Sequence, residues 1–285
     1  MPAASPVGVR TGCNLPGGTY RYAVNGRNIV VALPRPTSPP PATGRGVILA
    51  LHGYQGDAAD FATYSRLATT ATAAGAVALF PQGAGQPAGW NYPQRATVGG
   101  DDVAFLDAVL TQLRVILCLD LSRVALTGWS DGADMAVTYA CFGHHPLKGL
   151  LAVAAASGPD QTKTKGTCLP RSVVYVHGTA DPVESYQGGS QDSRPGYGGG
   201  ISVGPKEATR QWASHLTCPA FAHSPTRNSL TVDTAKPCKA GGLVTLITVE
   251  GGGHGWPGSS YDIGAQYGPT NHTLNTAAEV LALLS

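Results

Sequence analysis

From residue 47 onward, short apolar runs alternate with longer amphipathic or alanine-rich stretches. That alternation is the pattern of strand and helix units that build a mainly parallel sheet, because each helix carries the chain back to start the next strand. Runs 47–51, 76–80, 124–127, 150–155, 173–176 and 243–249 are the expected strands, each lying between turn residues. Stretches 59–74, 101–117, 132–142, 205–216 and 275–284 are the expected helices, and they are numerous enough to cover both faces. Ahead of this region, residues 20–33 read as a β-hairpin, since Asn25-Gly26 is a favoured two-residue turn between β-formers. A Pro-rich link, 34–43, then leads into the alternating part.

The balance of residues removes several classes of function. Only 13% of the 285 residues are charged and the formal net charge is +2, without a Lys/Arg run, so nucleic acid is not an expected partner. The longest apolar run, 150–156, is far shorter than the roughly 18 residues needed to cross a bilayer, so no membrane association is expected. A hydrophobic content of 42% fills a sizeable core, and 38 glycines with 22 prolines indicate ordered turns and loops.

The first residues lack the basic start and apolar middle of a signal peptide, and the small, Pro/Ala-rich segment after Met1 reads as a chain whose leader has been removed. Cys13, Cys118, Cys141, Cys168, Cys218 and Cys238 form an even set without C-x-x-C spacing, which points to disulfides, an oxidising compartment and secretion. Sequence alone does not choose among the pairings. Cys118 and Cys141 each close an expected helix with a strand between them, so a bridge joining these helix ends is the expectation. Cys218 with Cys238 closes a polar loop, and Cys13 with Cys168 then remains.

The chemistry centres on Gly128-Trp129-Ser130-Asp131-Gly132, a G-x-S-x-G element placed directly after an expected strand and directly before an expected helix. In that context the serine sits on a tight strand-to-helix turn, where the glycines two residues either side prevent clashes and the helix N-terminus favours negative charge. A hydroxyl at neutral pH needs a base oriented by a carboxylate. His254 is the expected base: it follows the last expected strand, in the glycine-rich loop Gly251-Gly252-Gly253-His254-Gly255-Trp256-Pro257. His52 and His177 end strands before glycine and are expected to satisfy local backbone or to buttress the site; His144 and His145 lie in a turn, and His215, His223 and His272 follow no strand.

Asp181 is the expected orienting acid, a short turn after strand 173–176, with Asp160 and Asp192 as its rivals. The oxyanion is expected to be held by the backbone N–H groups of Asp131 and Tyr54, the latter in the loop His52-Gly53-Tyr54. Trp90, Trp129, Trp256 and Tyr197 are candidate substrate-contacting aromatics, each of which equally suits the core, Trp129 beside the elbow most of all, and the polar stretch 185–204 is expected to be a substrate-side loop. Metal ions and cofactors are not expected.

Several segments together resemble secreted feruloyl esterases: Phe80-Pro81-Gln82-Gly83, Gly89-Trp90-Asn91, Asp101-Asp102-Val103-Ala104-Phe105, Leu117-Cys118-Leu119-Asp120, the serine element, Tyr139-Ala140-Cys141, His177-Gly178 with Asp181, and Gly253-His254-Gly255-Trp256-Pro257. The wider group includes acetylxylan esterases and polyhydroxyalkanoate depolymerases. The resemblance implies an α/β-hydrolase fold, the Ser130, Asp181, His254 set without a metal, and again a Cys118–Cys141 bridge. It departs at Ser130-Asp131-Gly132-Ala133-Asp134, where relatives commonly carry a Gly-Gly pair, and at Tyr54, whose position varies.

On this reading residues 1–18 are an N-terminal extension and 19–285 a single catalytic domain, a monomer acting on ester substrates. Release of ferulate-type acids from plant cell-wall polysaccharide is the leading expectation. Acetylxylan esterase or depolymerase activity on polyhydroxyalkanoate or synthetic aromatic polyester is the alternative. An inactive carbohydrate-binding homologue is the non-enzymatic reading, disfavoured because a binder has no need of a nucleophile on a strained turn.

Overall fold

The computed structural model describes residues 14–36, 42–92, 100–155, 157–162, 168, 170–190 and 201–285. Strands β1 (Gly18–Val24) and β2 (Arg27–Leu33) pair antiparallel through the Asn25-Gly26 turn. They are followed by β3 (Arg45–Leu51), helices α1 (Ala58–Tyr64) and α2 (Leu67–Ala73), β4 (Val77–Pro81), α3 (Asp102–Leu117), β5 (Leu119–Trp129), α4 (Asp131–Phe142), β6 (Leu147–Val153) and β7 (Pro170–Gly178). A small pair, β8 (Gly189–Ser190) and β9 (Ile201–Ser202), precedes α5 (Pro205–His215), β10 (Ala222–Arg227), β11 (Leu230–Ala235), β12 (Val244–Val249) and α6 (Thr276–Ala282).

Among the described residues the main sheet has ten strands in the order β1-β2-β4-β3-β5-β6-β7-β12-β11-β10. The middle of it, from β4 to β12, is parallel, and an antiparallel hairpin extends each edge. Successive side chains of a strand point to opposite faces, and both faces here are covered. Leu49, Leu126, Leu150, Val173 and Tyr175 therefore pack on the side of α3, α4 and α5, while Ile48, Ala125, Leu151, Val174 and Val176 pack on the side of α1, α2 and α6. That double burial is why these strands read as continuous apolar runs.

The scaffold departs from the sequence reading at one helix, one loop and the disulfides. The expected helix 59–74 is two helices, broken where Arg66 takes a left-handed conformation (φ 59°) after Ser65. The expected polar loop between Cys218 and Cys238 is the hairpin β10–β11, whose outer strand is exposed along its length and so lacks any apolar alternation. The disulfides also differ. Cys141 bonds Cys168, not Cys118, with Cα atoms 3.9 Å apart, so neither Cys118–Cys141 nor Cys13–Cys168 exists.

The reason for this last difference lies at the helix ends. Cys118 caps α3 in a left-handed conformation (φ 55°) and turns directly into β5, whereas Cys141 near the end of α4 meets the segment that enters β7. Cys118 is disulfide-bonded, and Cys13 lies outside the described residues. Cys218–Cys238 is as expected and spans 20 residues. Replacing both of its cysteines by alanine is expected to lower stability by about 3 kcal/mol, by freeing the loop in the unfolded chain. A drop in the urea midpoint checks this, with a slope equal to or steeper than that of the wild type because the freed unfolded chain exposes more surface.

Candidate active site

Ser130 lies between the end of β5 and the start of α4, with φ 55° and ψ −125°, a region that side-chain-bearing residues rarely enter. The two glycines of the motif make that turn possible. A Cβ on Gly128 would overlap the backbone of Gly132, and a Cβ on Gly132 would overlap the carbonyls of Leu51 and His52, so β3, β5 and α4 meet only around glycine. The N–H of Ser130 donates to the carbonyl of Val153 (2.9 Å), which ties the elbow to β6.

Asp181 and His254 reach the same edge from the loops after β7 and β12. His254 Nε2 lies 2.9 Å from Ser130 Oγ, and His254 Nδ1 lies 2.8 Å from Asp181 Oδ2. The other carboxylate oxygen, Oδ1, accepts the N–H groups of Val183 (2.8 Å) and Glu184 (2.9 Å). Asp181 is therefore a turn-organising residue as well as the partner of His254. Burial pushes its pKa up, but His254, His177 and the Glu184 N–H outweigh this and hold it below the ordinary 3.8. An ionised Asp181 fixes the imidazole proton on Nδ1 and leaves Nε2 to accept from the serine hydroxyl.

The loop that carries His254 is stitched to a later segment: the N–H of His254 donates to Tyr267 O and that of Gly253 to Pro269 O, both at 2.7 Å. Trp129 donates its indole N–H to His254 O (2.7 Å). Of the rival acids, Asp160 stands elsewhere, paired with His215 (2.8 Å), and Asp192 lies outside the described residues. His144 is exposed and bonds Asp107.

His52 and His177 are buried at strand ends. His52 Nε2 accepts the N–H of Gly83 (2.8 Å) while Nδ1 faces Gly53 O (2.7 Å), so the imidazole links the loop after β3 to the end of β4. Burial lowers its pKa from 6.5 to about 4, and lowers that of His177 in the same direction. A histidine kept neutral in the fold makes stability fall as pH drops below 6.5, because the unfolded chain then takes up the proton first; for His52 the loss is complete near pH 4. We expect about 3 kcal/mol to be lost through His52 between pH 7 and 4. Urea midpoints measured across that range should fall, with a shallower fall in His52→Asn.

The structure corrects part of the aromatic reading. Trp90 and Trp256 are fully buried and cannot face a substrate. The Trp90 indole donates to His52 O (2.8 Å), and Trp256 packs edge-on against Phe61 with its backbone N–H on the Tyr64 hydroxyl (2.8 Å). Trp129 is half-buried, 5.7 Å from the His254 ring, and Tyr197 lies outside the described residues. Tyr267 was not singled out from sequence, yet its half-buried ring stacks at 6.3 Å and 25° on His254. Only its distant backbone bond to the histidine loop brings it there, so no local signal marks it. Tyr261 and Tyr64 continue an aromatic line outward from Trp129.

Tyr54 and Asp131 flank Gly89, whose Cβ would stand 3.1 Å from the Tyr54 ring and 3.2 Å from Asp131 Oδ2. The segments 89–91 and 101–102, part of the sequence resemblance, act here as scaffold: Asp102 accepts the N–H of Asn91 (2.7 Å) and pairs with Arg27.

A parallel sheet covered on both faces, with a nucleophile elbow and an acid and a histidine on later strand ends, defines an α/β-hydrolase. No family model matches the chain. It is 30% identical over 267 residues to "Putative esterase NocK" of Nocardia uniformis subsp. tsuyamanensis, across 85% of this chain and 74% of that one. It is also 30% identical to feruloyl esterase B of Piromyces equi, over 73% of this chain but 39% of that longer protein. An acetyl xylan esterase from Aspergillus awamori superposes with a TM-score of 0.58 at 17% identity, covering 84% of this chain and 94% of that one. The chain belongs to the α/β-hydrolase family of serine esterases, with feruloyl esterases among its relatives.

Proposed function

We propose that this protein hydrolyses carboxylic esters through an acyl-enzyme on Ser130, and that its substrates are ferulate-type esters of plant cell-wall polysaccharide. The observation that carries the mechanism is the continuous chain from Ser130 Oγ to His254 to Asp181, at 2.9 and 2.8 Å, on a strained elbow. Ser130 Oγ attacks the ester carbonyl carbon as its proton passes to His254 Nε2. The N–H groups of Asp131 and Tyr54 hold the resulting oxyanion. As the intermediate collapses, the imidazolium gives its proton to the leaving alcohol; His254 then activates water, which releases the acid and restores Ser130.

Relatives named as feruloyl esterases support the substrate class. The aromatic groups Trp129, Tyr267 and Tyr261 around the site suit a planar phenolic acyl group or a sugar ring. All residues of the proposed set come from one chain, so a monomer suffices. The ten-stranded main sheet, whose strands are drawn from between Gly18 and Val249, supports treating 19–285 as one catalytic unit. Disulfide-bonded cysteines support an exported protein.

Hydrolysis of methyl ferulate, p-nitrophenyl acetate and a polyester film by wild type and Ser130→Ala tests the proposal. Ferulate release that disappears in the variant supports it. Acetate or film hydrolysis without ferulate release would replace the substrate, and activity surviving in the variant would remove Ser130 from the mechanism.

A further inference from the structure

The residue after the nucleophile carries a buried carboxylate. Asp131 is 3% exposed, and at the first position of α4 it lies where the helix dipole favours negative charge. Burying such a group is costly unless it is hydrogen-bonded. Asp131 Oδ2 accepts the backbone N–H of Trp90 at 3.0 Å, from a segment 41 residues earlier in the chain. This bond is tertiary, tying α4 to the segment around Trp90.

That bond closes a brace. Ala84 and Gly89 exchange two backbone hydrogen bonds (3.0 and 2.8 Å), making a small hairpin that ends in Trp90. Asp131 holds this hairpin from the helix side. From the other side, the Trp90 indole N–H donates to His52 O (2.8 Å), and the N–H of Gln55 donates to Ala88 O (2.7 Å). Residues 52 and 55 bracket Gly53 and Tyr54, the loop that presents one of the two proposed oxyanion donors. The other donor is the backbone of Asp131 itself. The hairpin is thus clamped between the two segments whose spacing sets the oxyanion site.

We propose that Asp131 is a positioning residue: its side-chain oxygen anchors Trp90, and through Trp90 and Ala88 it sets the distance between the loop 52–55 and the start of α4. This rests on the esterase reading of Ser130 above. What the brace requires is an acceptor for the Trp90 N–H; negative charge beside a developing oxyanion gives no benefit to the reaction.

The test compares wild type, Ser130→Ala, Asp131→Ala, Asp131→Asn and Trp90→Phe on p-nitrophenyl acetate, with phenylboronic acid as a tetrahedral inhibitor and thermal melting alongside. Asp131→Ala is expected to lower kcat by about 30-fold with KM changed less than about threefold, and to weaken boronate inhibition by a similar factor. Asp131→Asn keeps an acceptor oxygen and is expected to recover about tenfold of that loss. Trp90→Phe keeps the backbone N–H but loses the indole bond to His52, and should lower kcat by about three- to tenfold even if Asp131→Ala fails to fold.

Wild-type kcat in Asp131→Ala would overturn the inference. So would equal impairment of the Ala and Asn variants, a fall in kcat with unchanged boronate inhibition, or wild-type kcat in Trp90→Phe. If Ser130→Ala stays active, it is the esterase reading that fails; if Ser130→Ala is dead while Asp131→Ala is unimpaired, only the brace fails.

Discussion

Ser130→Ala is expected to lower kcat by about a million-fold while leaving the melting temperature at or slightly above that of the wild type. The size follows from how the proposed residues act together: His254 and Asp181 serve only to move the proton of Ser130, so without the hydroxyl neither contributes. The residual rate would come from bound water and the oxyanion donors. Stability should hold because the elbow is maintained by backbone, through Ser130 N–H to Val153 and the close approach of Gly128 and Gly132, and the hydroxyl takes no part in either. Single-turnover kinetics with an activated ester, read beside calorimetry, separates lost chemistry from lost fold. A fall of less than about a thousandfold would mean that another nucleophile carries the reaction.

The second large effect is expected at Asp181→Asn, a loss of about ten-thousandfold in kcat near neutral pH. An asparagine can still accept the Val183 and Glu184 N–H groups through its carbonyl oxygen, so the turn survives. Its amide nitrogen then faces His254 Nδ1 and favours the proton on Nε2, where it blocks acceptance from Ser130. The variant also tests a linkage. Because Asp181 is held below 3.8, it contributes stability that is present above that pH and lost as pH falls through its lower folded value. Asp181→Asn should remove this part of the acid sensitivity while the part due to His52 and His177, which lies between about pH 6.5 and 4 for His52, remains. Denaturant midpoints of wild type and variant, compared from pH 7 to 3, check both statements.

Much of the scaffold was legible because each central strand is buried on both faces and bounded by turn residues. Such strands must be apolar throughout, so 47–51 and 173–176 stood out, and the structure lengthens both by only a few residues. The serine element was equally legible, since the turn cannot form without glycine at 128 and 132. Elements held by tertiary contacts alone were not. The edge hairpin β10–β11 has an exposed outer strand, so its sequence carries no alternation. The break at Arg66 sits inside a continuous run of helix-forming residues. Cysteine spacing was compatible with several pairings, and the choice depended on how the end of α4 meets the approach to β7.

Tryptophan shows the same division at the site. Sequence marks Trp90 and Trp256 as large aromatics near glycine and histidine motifs, and nothing local distinguishes a ring lining a cleft from one beneath it. Packing puts both beneath, while Tyr267 comes beside His254 through a backbone bond between distant loops. Sequence by itself determined the order of the central strands and the helices between them, the strained serine turn and the types of residue available at the strand ends, because these depend on local sterics and on side-chain polarity. Only the tertiary structure decided which cysteines meet, which aromatics remain accessible and how the Trp90 hairpin is clamped, because those depend on distances between segments that are far apart along the chain.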